Sequence, residues 1–132
     1  MRLSEDAEKF ILDLVGRHVK DIVSKAAVDV LKALLLSYGS AWESELKDTL
    51  MGLWSLRGLQ FDEVGELQSA LADAEKLLSE KGAVEIDVRA RGDLRRREPR
   101  REKFYTTKYL YLLMRVFSGD IEIDRFRYQM QQ

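Results

Sequence analysis

The stretch Lys76-Leu77-Leu78-Ser79-Glu80-Lys81-Gly82-Ala83-Val84-Glu85-Ile86-Asp87-Val88-Arg89-Ala90-Arg91 decides the fold. Its first half closes a helix over 62–81, in which Val64, Leu67, Leu71, Ala74, Leu77 and Leu78 recur at three- and four-residue spacing and so share one face. Asp62 can cap that helix, and Gly82 supplies the left-handed residue that ends it. In the second half the period drops to two. Val84, Ile86, Val88 and Ala90 alternate with Glu85, Asp87, Arg89 and Arg91, the pattern of a half-buried strand. Gly92-Asp93 opens a loop that holds the only proline, Pro99, and Lys103-Phe104-Tyr105-Thr106-Thr107 reads as the returning antiparallel strand.

Upstream the chain is helical. Ser4 can cap a helix over 4–23, with Glu5 and Asp6 in its first turn. Ala7, Phe10, Ile11, Leu14, Val15, Val19, Ile22 and Val23 form its apolar stripe, and His18 lies on the edge of that stripe. The pattern continues through Ala26, Ala27, Val30, Leu31, Leu34 and Leu35 to Tyr38 and Gly39. A run of about 35 residues exceeds the usual globular helix, so two helices broken near Ser24 are expected. Ser40-Ala41-Trp42-Glu43 has the form of a capping box and opens a third helix to Met51, after which Gly52 and Gly58 bracket a connector with Leu53, Trp54 and Leu56. Thr107 can cap an apolar helix from Tyr109 to Phe117, and beyond Gly119 no single period holds.

Composition narrows the chemistry. The 132 residues, 45% apolar and 34% charged, suit one small domain. Without cysteine there is no disulfide, thiolate metal site or cysteine nucleophile, and the single histidine, His18, excludes a histidine cluster, so neither a metal nor a cofactor is expected. The acids are scattered along helix faces, with no phosphate-cradling glycine loop and no nucleophile elbow, so no enzyme is expected. No run of 18 apolar residues occurs, and Met1–Phe10 carries acids where a signal peptide needs bases, which predicts a cytoplasmic protein without a membrane partner. The absence of Asn and Cys beside many Glu, Lys and Arg is the thermophile bias.

The net charge of -1 is an average over unlike parts. Residues 1–88 hold ten Lys/Arg against seventeen Asp/Glu, whereas 89–132 hold twelve against six. Between Arg89 and Lys103 stand eight bases, namely Arg89, Arg91, Arg95, Arg96, Arg97, Arg100, Arg101 and Lys103, against the acids Asp93, Glu98 and Glu102. An arginine-rich hairpin on an acidic body points to a polyanionic partner. The segment Tyr109-Leu110-Tyr111-Leu112-Leu113-Met114 is apolar on all sides, and with the stripe of the first helix it predicts a homodimer. The expected interface is Phe10, Ile11, Leu14, His18, Tyr109, Leu112, Leu113 and Phe117. Trp42, Trp54 and Tyr38 are read as packing residues rather than a ligand cage.

The junction Lys76–Ile86, the basic hairpin and Phe104-Tyr105-Thr106-Thr107-Lys108 together resemble winged helix–turn–helix domains, and the arrangement is similar to archaeal and bacterial transcriptional regulators of the MarR and PadR types. The resemblance implies a mainly α fold with a small β-hairpin (α+β), divided into an N-terminal dimerisation helix over 1–25, a winged helix over 26–108 with its wing at 84–107, and a C-terminal dimerisation helix and tail over 109–132. It further implies binding of double-stranded DNA, with Gln68, Ser69, Asp73 and Lys76 of the helix 62–81 toward the major groove and the eight bases of the wing on backbone or minor groove. Such regulators often hold a small-molecule effector, which no residue pattern here supports; Trp54 is where one would be sought. Two features depart from the pattern. Residues 59–81 hold six acids and two lysines where a recognition helix carries Arg, Lys, Asn or Gln, and Leu53–Gln60 lengthens the turn before it. The alternative is therefore a winged-helix protein-interaction module with the acidic helix as the partner surface.

Overall fold

The computed structural model describes residues 2–17, 21–92 and 98–130. His18, Arg95, Arg96 and Arg97 lie outside the described residues. The elements run α1 (Arg2–Arg17), α2 (Ile22–Leu36), β1 (Ser40–Trp42), α3 (Glu43–Arg57), α4 (Phe61–Glu80), β2 (Glu85–Arg91), β3 (Arg100–Thr106), α5 (Leu110–Val116) and α6 (Ile121–Met130). The class is α+β, mainly helical with one small antiparallel sheet in the order β1-β3-β2. The third strand, β1, is an addition to the expected hairpin: Ser40, Ala41 and Trp42 pair with Thr106, Tyr105 and Phe104.

Several local expectations are corrected. The long N-terminal pattern is two helices, and the second begins at Ile22, just before Ser24, because the Asp21 carboxylate caps it by accepting from Ser24 N at 2.8 Å and Ser24 Oγ at 2.9 Å. The first starts at Arg2, so Ser4 lies inside it instead of capping it. Ser40 does not open α3, because it belongs to β1; the helix starts at Glu43, and Glu45 Oε1 accepts from Trp42 N at 3.1 Å. Gly52 does not stop α3. The helix runs on to Arg57 and ends at Gly58, whose φ of 75° is the left-handed residue the termination needs. The turn before α4 is therefore only Gly58, Leu59 and Gln60, and Trp54 is a helical residue. The cap of α4 is Gln60 rather than Asp62, with Gln60 N donating to Glu63 Oε1 at 3.0 Å. The tail beyond Gly119 is helical, as α6.

α2 is the axis of the molecule, with every residue from Ala26 to Leu35 buried. Around it pack Ile11 and Leu14 of α1, Leu46, Leu50 and Trp54 of α3, Leu67, Ala70, Ala74 and Leu78 of α4, Tyr105 of β3, Leu112 and Leu113 of α5, and Ile123 of α6. Most of the expected dimer face belongs to this core. Ile11, Leu14, Leu112, Leu113 and Phe117 are buried within the one chain, and Phe10 and Tyr109 are half-buried against the same core. Among the described residues of α1 and α5, the large apolar side chains left exposed are Leu12, Tyr111 and Met114.

Two charges of α2 are also buried, and α3 and α6 neutralise them. Asp29 is 2% exposed and accepts from Trp54 Nε1 at 2.9 Å and from Arg57 Nη2 at 2.8 Å. Lys32 pairs with Glu122 at 2.7 Å and Asp120 at 3.1 Å, and Arg57 Nε reaches Glu122 Oε2 at 2.6 Å. Burial by itself raises the pKa of Glu122, but hydrogen bonds from Arg57 and Lys32 overcome it and hold the carboxyl at about 2. Burial likewise opposes the charge on Arg57, and Asp29 and Glu122 raise its pKa regardless. Each of these charges has a partner, as a low-dielectric interior requires.

Candidate nucleic-acid interface

The hairpin is built by the register of β2 on β3, which sets Arg89 opposite Glu102, Ala90 opposite Arg101 and Arg91 opposite Arg100. Cross-strand partners share a face, so Asp87, Arg89 and Arg91 lie with Phe104, Glu102 and Arg100, while Val88 and Ala90 lie with Lys103 and Arg101. Only the base of the hairpin enters the core. Val84 and Tyr105 are buried and Ile86 is half-buried, but Val88 is 55% exposed and Ala90 is exposed, so the expected half-buried strand holds for its lower part alone.

Two carboxylates fix the hairpin to the helices. Glu102 Oε2 accepts from Ser44 N at 2.8 Å and from Ser44 Oγ at 2.7 Å, which docks β3 on the first turn of α3. Glu102 Oε1 accepts from Arg100 Nη2 at 3.1 Å and Arg91 Nη1 at 3.3 Å. The hydrogen bonds from Ser44, then that from Arg91, hold the Glu102 carboxyl at about 2 against a burial penalty. Glu75 of α4 is the second anchor, accepting from Tyr105 Oη and, at 3.3 Å, from Lys103 Nζ. Burial and then the Glu75 bond raise the Tyr105 pKa, so its hydroxyl keeps its proton. Aromatic contacts brace the face that carries Glu102: Trp42 and Phe104 meet edge-on at 4.9 Å, Arg89 lies 4.6 Å from the Phe104 ring centroid and Arg91 5.1 Å from that of Trp42.

These contacts sort the bases read from the sequence. Arg91 and Arg100 share Glu102, and Lys103 is drawn to Glu75 and, at 3.9 Å, Glu43. Among the described residues, Arg89 has an ion pair only with the exposed Asp87, and Arg101 is exposed with none. The spacing of the bases marked the hairpin correctly. It did not mark Ser44, Glu75 and Glu102, because their meeting depends on strand register and on how the hairpin leans on α3 and α4. A Ser in the first turn of a helix, with an acid inside a basic strand, was the available signal.

The outer face of α4 carries the four residues expected there, and Gln68, Ser69, Asp73 and Lys76 are all exposed. They stand among the exposed acids Asp62, Glu63, Glu66 and Glu80, so the acidic character of this face is a property of the folded surface. At its leading end Phe61 is 96% exposed.

A cavity of about 640 Å³ borders α4 at Glu63 and Glu66, which line it with Ile22, Lys25 and Ile121 and with the Asp29–Arg57–Glu122–Lys32 network. Trp54 does not line it; its indole N–H is taken by Asp29, and the residue instead borders a smaller cavity of about 390 Å³ between α3 and α4, with Leu50, Met51, Gln68, Leu71 and Glu75. No described helix is long and apolar enough to cross a membrane, and no group of three or more described His, Asp or Glu residues is placed to hold a metal ion. No protein-family model, no curated protein and no solved structure matches the chain.

Proposed function

We propose that residues 26–108 are a winged helix that binds double-stranded DNA, with the β2–β3 hairpin as the main contact, and that the protein is a transcriptional regulator. The observation that carries this reading is the hairpin: a two-stranded arm whose outer half leaves the core, with Arg89 and Arg101 outward and Arg95, Arg96 and Arg97 in the same segment of sequence. The element order supports it as well, since α2, β1, α3 and α4 precede the hairpin and β1 pairs with its return strand. So does the three-residue turn between α3 and α4, which removes one of the two departures from the helix–turn–helix pattern. The acidic outer face of α4 argues for shallow docking, in which the hairpin supplies the affinity and α4 stands off the phosphates. Arginines on a narrow arm suit a narrow minor groove, which favours A·T-rich sequence through shape.

Twofold pairing belongs to this proposal, carried by the apolar residues that the fold leaves outside α1 and α5: Leu12, Tyr111 and Met114. Equilibrium sedimentation of the wild type against Tyr111→Ser/Met114→Ser tests it, and a wild type of monomer mass rejects it. DNA binding is tested by gel shift on duplex DNA across a salt series, with the wild type against Arg95→Ala/Arg96→Ala/Arg97→Ala/Arg101→Ala. Each lost phosphate contact should lower the slope of log K on log salt by about 0.9. No binding by the wild type at low salt rejects the proposal, and an unchanged slope in the variant rejects the hairpin as its site.

Phe61 favours a second reading. A fully exposed aromatic among acids at the head of α4 also suits a basic, partly apolar protein surface, and a protein-interaction module is then the function.

A further inference from the structure

Four donors converge on the Glu102 carboxylate: the backbone N–H and hydroxyl of Ser44 at 2.8 Å and 2.7 Å, and the guanidinium groups of Arg100 and Arg91 at 3.1 Å and 3.3 Å. A helix-terminal amide, a hydroxyl and two arginines are also the donor set that a phosphate diester takes, because a carboxylate and a phosphate present the same pair of anionic oxygens. Here the anion that fills the set is the chain's own. Its side chain is 8% exposed, whereas the two arginines around it remain 29% and 44% exposed, so they stand at the surface with their charge already spent inward.

We infer that Glu102 is an internal competitor for nucleic-acid phosphate, holding Arg91 and Arg100 back from the duplex and so setting the affinity of the hairpin. The inference rests on the DNA-binding reading. It assigns to Glu102 a role opposite to that of the bases around it. The free hairpin keeps Arg91 and Arg100 on the carboxylate, and binding proceeds through Arg89, Arg101 and the neighbouring arginines. A phosphate close enough to the first turn of α3 exchanges with the carboxylate, whose repulsion limits how often that happens. Sequence-independent binding is thereby kept weak on a protein whose bases are crowded into one arm.

Glu102→Gln separates this role from a structural one, since the amide oxygen still accepts from Ser44 while the negative charge is gone. Its melting temperature should fall as the ion pairs are lost. Its affinity for a duplex should nevertheless rise, by roughly three- to tenfold at 0.1 M salt, with a salt slope steeper by about one to two. Glu102→Asp, which keeps the charge, should bind like the wild type. A purely structural residue would give weaker binding together with the lower melting temperature. Glu102→Gln that binds no tighter than a DNA-binding wild type overturns the inference and leaves the DNA reading intact. If neither protein binds duplex, the DNA reading falls, and inorganic phosphate becomes the deciding probe. Millimolar phosphate should then raise the melting temperature of Glu102→Gln and leave that of the wild type unchanged, and equal responses overturn the inference.

Discussion

Asp29 is a carboxylate in the fully buried run Ala26–Leu35 of α2, and it survives there because Trp54 and Arg57 reach it at 2.9 Å and 2.8 Å. Neither partner is adjacent in sequence, and the pairing requires α3 to run past Gly52 so that Trp54 and Arg57 both turn toward α2. The cost of losing each partner differs. Trp54→Phe keeps an aromatic ring but loses the donor and part of the buried indole volume, which should lower the unfolding free energy by about 2–3 kcal/mol. Arg57→Ala leaves Asp29 and Glu122 short of a cation and should cost about 3–5 kcal/mol. Urea unfolding of the two variants checks the order, and an Arg57→Ala no worse than Trp54→Phe would show that the network is bypassed by water. At this scale the sequence was least legible. An aspartate and a lysine in the apolar run of α2 could be noticed, but the residues that neutralise them lie from 25 to 90 positions away. Glu102 was hidden for the same reason: counted along the chain it is one of three acids against eight bases, and only strand register shows that it holds two of them.

At the scale of elements, the period-3.6 and period-2 patterns carried most of the fold. α4 and the β2–β3 hairpin lie where the stretch Lys76–Arg91 places them, and α1, α2 and α5 differ from expectation chiefly at their ends. The errors came from glycine and from short-range capping. Gly52 and Gly58 look alike in sequence, yet only Gly58 has a positive φ, and Gly52 is there for space: a Cβ on it would stand 2.8 Å from Phe126 Cε2 of α6. This gives a substitution whose sign tests the docking of α6. In an open helix Gly→Ala stabilises by about 1 kcal/mol. At Gly52 the Phe126 ring must move, so Gly52→Ala should destabilise by about 1–3 kcal/mol and speed hydrogen exchange in α6. A stabilised variant would mean that α6 does not hold this position. Strand β1 was missed because three residues are too few for a period, and because Ser40–Glu43 satisfies a capping pattern that the pairing of Ser40 with Thr106 overrides.

At the scale of the whole molecule, two carboxylates tie peripheral elements to the body: Glu102 ties the hairpin to α3, and Glu122 ties α6 to α2 and α3. Both are held at about 2, below the ordinary glutamate value near 4.3, so their contribution to stability is complete above that value and is lost as the pH falls from it toward 2. Acid unfolding followed by circular dichroism should show stability decreasing through that interval. Glu102→Gln/Glu122→Gln should be less stable at pH 7 and flatter between pH 5 and 2, and a variant that keeps the wild-type acid slope would assign the loss to other groups. The same view of charge bears on how the molecule meets DNA. The hairpin and the outer face of α4 have opposite sign, and a groove-inserted α4 would bring Asp62, Glu66 and Asp73 against phosphate. If α4 stands off, the repulsion acts through solvent, and its range is the Debye length, about 10 Å at 0.1 M salt and about 3 Å at 1 M. Asp62→Asn/Glu66→Gln/Asp73→Asn should therefore tighten binding at low salt, equally for different duplex sequences, and the gain should vanish as salt is raised. A gain that persists at high salt, or one that depends on sequence, would place α4 in the groove and make Gln68 and Ser69 base-reading residues after all.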